Sequence, residues 1–259
     1  WSSDVCSSDL TMKFVLTILV GVVISSCNID ETSPLISESK LVLIESVSLD
    51  VPEPSGLTLN GDGSALYAVS DPPDNSIYKL DLLGNTIKTL SYSGVDLEGI
   101  TYDVRDNTLW VAEESLLEIV HLDTFGNILS RNPILFNNNE SNGGLEGIAI
   151  NSNNGQIVLL NEKNPGVFIK LDSALINTLE LSLDFARDYS GICINDITKN
   201  YFIVSDESKQ LYEWNELDGV LKTYSLDFEK AEGVVYNHYT NQVYIVSDSE
   251  EKLYIYEFH

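Results

Sequence analysis

The sequence predicts an all-β protein, a five-bladed β-propeller with four-stranded blades. Three observations carry this expectation. Five segments share one pattern around a glycine: EPSGLTL (53–59), DLEGITY (96–102), GLEGIAI (144–150), DYSGICI (188–194) and KAEGVVY (230–236). Their glycines, Gly56, Gly99, Gly147, Gly191 and Gly233, recur at intervals of 43, 48, 44 and 42. An acid follows each glycine at one constant offset, +15: Asp71, Glu114, Glu162, Asp206 and Asp248. A spacing kept in every copy marks a structural unit rather than a composition bias.

Each unit holds four strand-like stretches in a fixed order. Strand a carries the glycine, and a turn rich in Asn, Asp and Gly leads to strand b: ALYAVSD (65–71), TLWVAEE (108–114), QIVLLNE (156–162), NYFIVSD (200–206) and QVYIVSD (242–248). Strand c follows in SIYKLD (76–81), EIVHLD (118–123), VFIKLD (167–172) and QLYEWN (210–215). Strand d covers 86–92, 127–135, 176–184 and 221–227. Alternating apolar and polar residues, with many Val, Ile, Tyr and Thr, suit strands that face a core. The fifth unit ends on its third strand, KLYIYEF (252–258). Its missing partner is expected at the other end of the domain. VSLDVPEPSG (47–56) aligns without gaps to YSLDFEKAEG (224–233), so residues 41–50 read as a d strand without a blade. Pairing it into the last blade closes the ring and removes exposed sheet edges.

Ahead of the propeller, residues 12–27 (MKFVLTILVGVVISSC) read as a leader: Lys13, an apolar core over Phe14–Ile24, and a small-residue end. The core is too short for the roughly 20 residues that a spanning helix needs. Ile24-Ser25-Ser26-Cys27 resembles the lipobox of bacterial lipoproteins. That resemblance implies lipidation of Cys27, export, and anchoring to a membrane of the bacterial cell envelope, with the outer membrane or periplasmic face favoured. The alternative is an ordinary signal peptide that happens to end in cysteine. Residues 28–40 are polar and Ser-rich and read as a tether. Residues 1–11 precede Met12 and fit no part of a leader; they read as an artefact or a wrong start, and Cys6 with them.

Of 259 residues, 40 are acidic and 14 basic, a net charge of −26. Without residues 1–27 it is −25, so nearly all of it belongs to the propeller and tether. Such a surface excludes a nucleic-acid binder, which needs clustered Lys and Arg. Hydrophobic content of 43% excludes intrinsic disorder. Three cysteines make no disulfide framework, and Cys193, in the apolar run GICI, reads as a buried inert thiol.

The acids have positions. The residue before each repeat glycine is Ser55, Glu98, Glu146, Ser190 or Glu232, and three before it stand Glu53, Asp96, Gly144, Asp188 and Lys230. First strands line the channel of a propeller, so these side chains are expected to converge at one end of the axis. Oxygen-only donor sets suit hard ions such as calcium or magnesium. A metal site is therefore expected from Glu98, Glu146 and Glu232, with Glu53 and Asp96 beside them. Two roles stay open for the glutamates: ligating a cation, or accepting backbone N–H groups of the next blade. The acids at +15 are either additional ligands or caps of the turn after strand b. No catalytic residue is assigned. The chain has no HExxH, GxSxG, P-loop or CxxC motif.

DLEGITY and GLEGIAI, with the +15 acids and the lipoprotein-like start, resemble the SdiA-regulated (YjiK-like) family of bacterial propellers over residues 41–258. The resemblance implies a five-bladed propeller. Its name reflects transcriptional control of one member and carries no biochemistry. A more distant similarity to propellers with phytase-like or lactonase activity implies calcium held by channel carboxylates. Here serine precedes two of the five glycines, so that carry-over is incomplete. The expected function is an envelope-anchored, calcium-binding binding or scaffold module. The alternative is a metal-dependent hydrolase of the phosphoesterase or lactonase type at the channel mouth. Expected partners are a membrane, through Cys27, and an unidentified ligand or protein at the propeller face.

Overall fold

The computed structural model describes residues 40–136, 144–163 and 165–259. The leader, Cys27 and all of the tether but Lys40 lie outside the described residues. The described chain forms twenty strands and, among the described residues, no helix. β1 (Leu41–Ser48) comes first. Blade one is β2 (Pro54–Leu59), β3 (Leu66–Ser70), β4 (Ser76–Leu80) and β5 (Thr86–Ser93). Blade two is β6 (Leu97–Asp103), β7 (Thr108–Glu113), β8 (Glu118–Asp123) and β9 (Ile128–Pro133). Blade three is β10 (Leu145–Ile150), β11 (Ile157–Asn161), β12 (Gly166–Leu171) and β13 (Asn177–Leu183). Blade four is β14 (Gly191–Ile194), β15 (Tyr201–Ser205), β16 (Gln210–Asn215) and β17 (Gly219–Ser225). β18 (Ala231–Asn237), β19 (Gln242–Ser247) and β20 (Lys252–Phe258) complete the series.

These strands make five antiparallel four-stranded sheets. The fifth sheet has the order β1-β20-β19-β18, so the first strand is the outer strand of the last blade, as the repeat alignment requires. Its register runs from Leu41↔Phe258 to Ser48↔Lys252. Lys40 and His259 extend the ladder by exchanging backbone hydrogen bonds of 2.9 Å in both directions. The last residue of the expected tether is thus part of the sheet edge. Each inner strand touches the inner strands on either side of it, and β18 returns to β2, which closes the ring.

The core follows from this wheel. It is five apolar clusters, one in each wedge between adjacent blades. Along β3, Leu66 and Ala68 face blade five while Tyr67 and Val69 face blade two. A strand buried on both faces reads as a continuous apolar run, which is why the b strands carry ALYAV, TLWVA and YFIV. Cys193 belongs to the wedge between blades four and five; burial pushes its thiol up to about 12, and it is an inert core residue.

A second regularity lies at the opposite end of strand a from the acids. At position +4 from each glycine stands Asn60, Asp103, Asn151, Asn195 or Asn237. Each side-chain oxygen accepts a backbone N–H of its own turn, at 2.9–3.0 Å. Such Asx turns fix the a–b hairpin, and with it the constant offset from glycine to acid.

The repeat glycines allow the inner strands to meet. A Cβ on Gly191 would overlap the carbonyl oxygen of Glu232 in the next blade, and one on Gly56 would lie 2.5 Å from that of Glu98. Gly99 and Gly233 meet the next blade's backbone in the same way. Gly191→Ala should therefore destabilise the protein by about 1–3 kcal/mol, because rigid backbone must move to admit the methyl group. Gly61→Ala, whose new atom meets only side chains, the Tyr102 ring at 3.3 Å and Val104 at 3.5 Å, should stay within about 0.5 kcal/mol. Urea unfolding of the two variants checks both; equal stabilities would refute the close-approach role.

Candidate metal centre

The register along each inner strand builds the axis in layers. All five residues that precede a repeat glycine (Ser55, Glu98, Glu146, Ser190 and Glu232) line an open funnel of about 550 Å3. The five glycines and the residues after them form a narrow waist with room for no more than about one water, closed by Leu57, Ile100, Ile148, Ile192 and Val234. At the start of strand a the register slips in blades one, two and five across the glycine and the residue before it, and in blade three at the residue before it. Such bulges re-aim a side chain. Blade four differs: β14 begins only at Gly191, preceded by the buried side chain of Asp188. It accepts hydrogen bonds from Ser205 Oγ and from the Glu207 N–H at 3.1 Å.

The two acid series meet through the backbone. The N–H of Asp71 donates to the carbonyl of Glu53, that of Glu114 to Asp96, and that of Asp248 to Lys230, at 2.9, 2.9 and 3.1 Å. The accepting residues sit in the left-handed region, with φ of 43°, 58° and 53°. The residue at −3 from the glycine is thereby held beside the residue at +15.

Eight carboxylates and one ammonium line the funnel: Glu53, Asp71, Glu98, Glu146, Glu162, Asp188, Glu232 and Asp248, with Lys230. Of the residues expected at a metal site, Glu53, Glu98, Glu146 and Glu232 line this cavity together. Asp96 does not line it, but clusters with Asp71 and Glu98, one carboxylate oxygen of each within 4.8 Å of the others. The tightest constellation therefore joins Asp71 to Asp96 and Glu98, rather than Glu98 to Glu146 and Glu232. Among the +15 acids, Asp71, Glu162 and Asp248 reach the funnel. Asp206 is instead paired with Lys230 at 3.1 Å, and Lys230 also approaches Glu232 at 3.8 Å.

Serine before two of the glycines completes the ring instead of interrupting it. Ser55 Oγ donates to Glu98 Oε2 at 2.5 Å, and Ser190 hydrogen-bonds Glu232. In each case the serine serves the glutamate of the following blade. The positions at +14, which sequence spacing alone did not single out, hold Ser70, Glu113, Asn161, Ser205 and Ser247, all without solvent exposure. Ser70 Oγ donates to Pro52 O at 2.5 Å, Ser247 Oγ to Glu229 O at 2.7 Å, and Glu113 accepts the Val95 N–H at 3.0 Å. They tie the segment entering strand a to strand b.

The electrostatics follow from crowding. Burial, then the charge of Asp71, hold Glu98 well above the usual carboxylate range. Burial and the charges of Glu98, Glu114, Glu162 and Glu232 do the same to Glu146. Burial pushes Glu232 up to about 8 against the pull of Lys230, and Asp71 up to about 6. A hydrogen bond with Asp248, and the charge of that carboxylate, push Glu53 up to about 7. Two carboxylates about 4 Å apart repel by about 4 kcal/mol at an effective dielectric of 20, so the set needs protons or a cation. Asp71 Oδ1 and Asp248 Oδ1 are buried and have no hydrogen-bond partner.

Residues 40–258 match the family model described as SdiA-regulated. The chain belongs to the SdiA-regulated family. Among solved structures, one described as "Streptogramin B lyase structure" matches with a TM-score of 0.50 and 16% identity, over 85% of this chain and 73% of that one. This likeness is one of fold alone.

In this SdiA-regulated propeller folding raises the proton affinity of Glu53, Asp71, Glu98, Glu146 and Glu232. Their contribution to stability is present below the unfolded value near 4.5 and is lost as pH rises through about 7 for Glu53 and about 8 for Glu232. The melting temperature in chelator should therefore fall between pH 5 and pH 8.5, and Glu232→Gln should flatten that slope. A pH-independent melt of the parent protein would overturn the electrostatic account.

Proposed function

We propose that this protein is an envelope-anchored binding or scaffold propeller whose acidic funnel holds a divalent, oxygen-ligated cation, calcium foremost. The observation that supports it is the Asp71–Asp96–Glu98 cluster, with its buried and unpartnered Asp71 Oδ1. A hard cation takes carboxylate oxygens at about 2.3–2.6 Å and relieves their mutual repulsion, which hydrogen bonds from Ser55 alone do not. Asp71, Asp96 and Glu98 supply the ligand oxygens, and Ser55 orients Glu98 from the preceding blade. Glu53, Glu146, Glu232 and Asp248 complete a negative mouth that concentrates cations at the site. Anchoring rests on the lipobox-like Ile24-Ser25-Ser26-Cys27. A bound cation with open positions offers a partner carboxylate or phosphate a place to dock.

Calorimetry of residues 28–259 with calcium at neutral pH is the test. One-site binding is expected, and Asp71→Asn or Glu98→Gln should weaken it at least tenfold. Calcium at 100 times its dissociation constant should stabilise the fold by about 2.7 kcal/mol. Absence of both binding heat and stabilisation would sink the metal reading. Cation-dependent hydrolysis of a phosphoester or a lactone, abolished by Glu98→Gln, would make the protein a hydrolase instead.

A further inference from the structure

The propeller has two unlike faces. The acidic funnel opens where strands a and c begin; the a–b and c–d turns lie on the opposite face. Eighteen large apolar residues are exposed among the described residues. Fifteen of them sit on a–b or c–d turns or in the first half of an outer strand, and only Val95, Leu116 and Leu135 lie toward the funnel side. Scattered exposed apolar residues are ordinary on any protein, but a partition this uneven between two faces is not.

Every blade contributes. Leu83, Phe125, Ile176 and Leu217 stand at the c–d turns of blades one to four, with Phe125 68% and Leu217 93% exposed. Blade five has no such turn and presents Val42, Leu43 and Ile44 of β1 in its place. The turns are held firmly: Asp81, Asp123 and Asp172 each accept two backbone N–H groups of their own turn at 2.9 Å. The apolar side chains are therefore separate points spread around a rim and interspersed with polar groups. A protein partner selects a contiguous patch, whereas a lipid surface accepts separated anchors that share a plane.

The position of the chain decides between these occupants. β1 begins at Leu41 beside Phe258, and Lys40 is bonded to His259, so the segment that leads back to Cys27 leaves the propeller on this apolar-rimmed face. Residues 28–39 reach at most about 40 Å when fully extended. That length lets the domain turn over on its anchor, so the anchor alone sets no orientation. We infer that the face bearing the a–b and c–d turns rests on a zwitterionic lipid surface, with the acidic funnel turned away from it. The inference rests on the lipid-anchor reading of Cys27. Net charge and the turn aspartates disfavour an anionic leaflet, and the cost of desolvating the crowded funnel carboxylates keeps that end off the bilayer.

The test uses the lipidated chain on phosphatidylcholine vesicles, with one fluorophore at Leu217→Cys or, on the funnel side, at exposed Ser249→Cys. Spin-labelled lipid should quench the label at 217 several-fold more than that at 249, and Phe125→Asp with Leu83→Asp should equalise them. Adding phosphatidylglycerol should reduce the difference. Equal, weak quenching of a vesicle-bound protein whose attachment is lost in Cys27→Ser overturns the orientation and leaves the anchor standing. Failure of the parent chain to bind vesicles overturns both. A dimer in solution that Phe125→Asp dissolves, without quenching at 217, gives the face to a second copy.

Discussion

Five inner strands crowd one axis, and a single kind of contact makes that geometry attainable: the bare α-carbon of a repeat glycine lying against the backbone of the next blade. At Gly191 and Gly56 the neighbour is a carbonyl oxygen so near that any side chain would overlap it. The contact repeats around the ring and returns from Gly233 to Ser55, so no blade is a terminus of the array. Open solenoids need capping repeats to protect their ends; here closure does that work. The apolar wedges fill the space behind the contact, and their packing presupposes that the strands have already converged.

The same contact orders the carboxylates. Because each glycine fixes the height of its strand on the axis, the preceding residues fall into one layer and the following residues into the apolar plug. Acids from different blades, a whole repeat apart in sequence, become near neighbours, and burial raises the proton affinity of Glu98, Glu146 and Glu232 together. Lys230 compensates on one side only, through Asp206 and Glu232. Among the described residues no ion pair reaches Asp71, Asp96 or Glu98, and this side holds the unpartnered oxygen of Asp71.

Much of this was legible in the sequence, and the rest was not, for identifiable reasons. Blade number, strand order and the closing strand follow from identities at fixed spacing, which repeats display openly. The observed β1 stops at Ser48 instead of Asp50, and strand a of blade four starts only at Gly191. Just ahead of that start the Asp188 side chain bonds Ser205 and Glu207, a local arrangement that no repeat pattern encodes. The side chains at +14 stayed hidden because Ser70, Glu113 and Asn161 share no chemistry as letters; they share burial and a tie to a neighbouring loop. The Asp71–Asp96–Glu98 cluster mixes one blade's +15 acid with the next blade's acids at −3 and −1. Spacing within a repeat says nothing of adjacency between repeats.

The pairing of β1 with β20 also sets an order of events. Leu41 waits for Phe258, at the far end of the domain, before its first ladder hydrogen bond can form. Blades one to four each contain their own four strands and can zip locally, whereas the fifth depends on the two ends of the domain finding one another. Contacts of such high sequence separation form late, since loop-closure entropy is overcome only when the rest of the chain is already compact. During synthesis the ring is thus an open arc with two unsatisfied edges, and its most aggregation-prone moment is the interval just before β20 emerges.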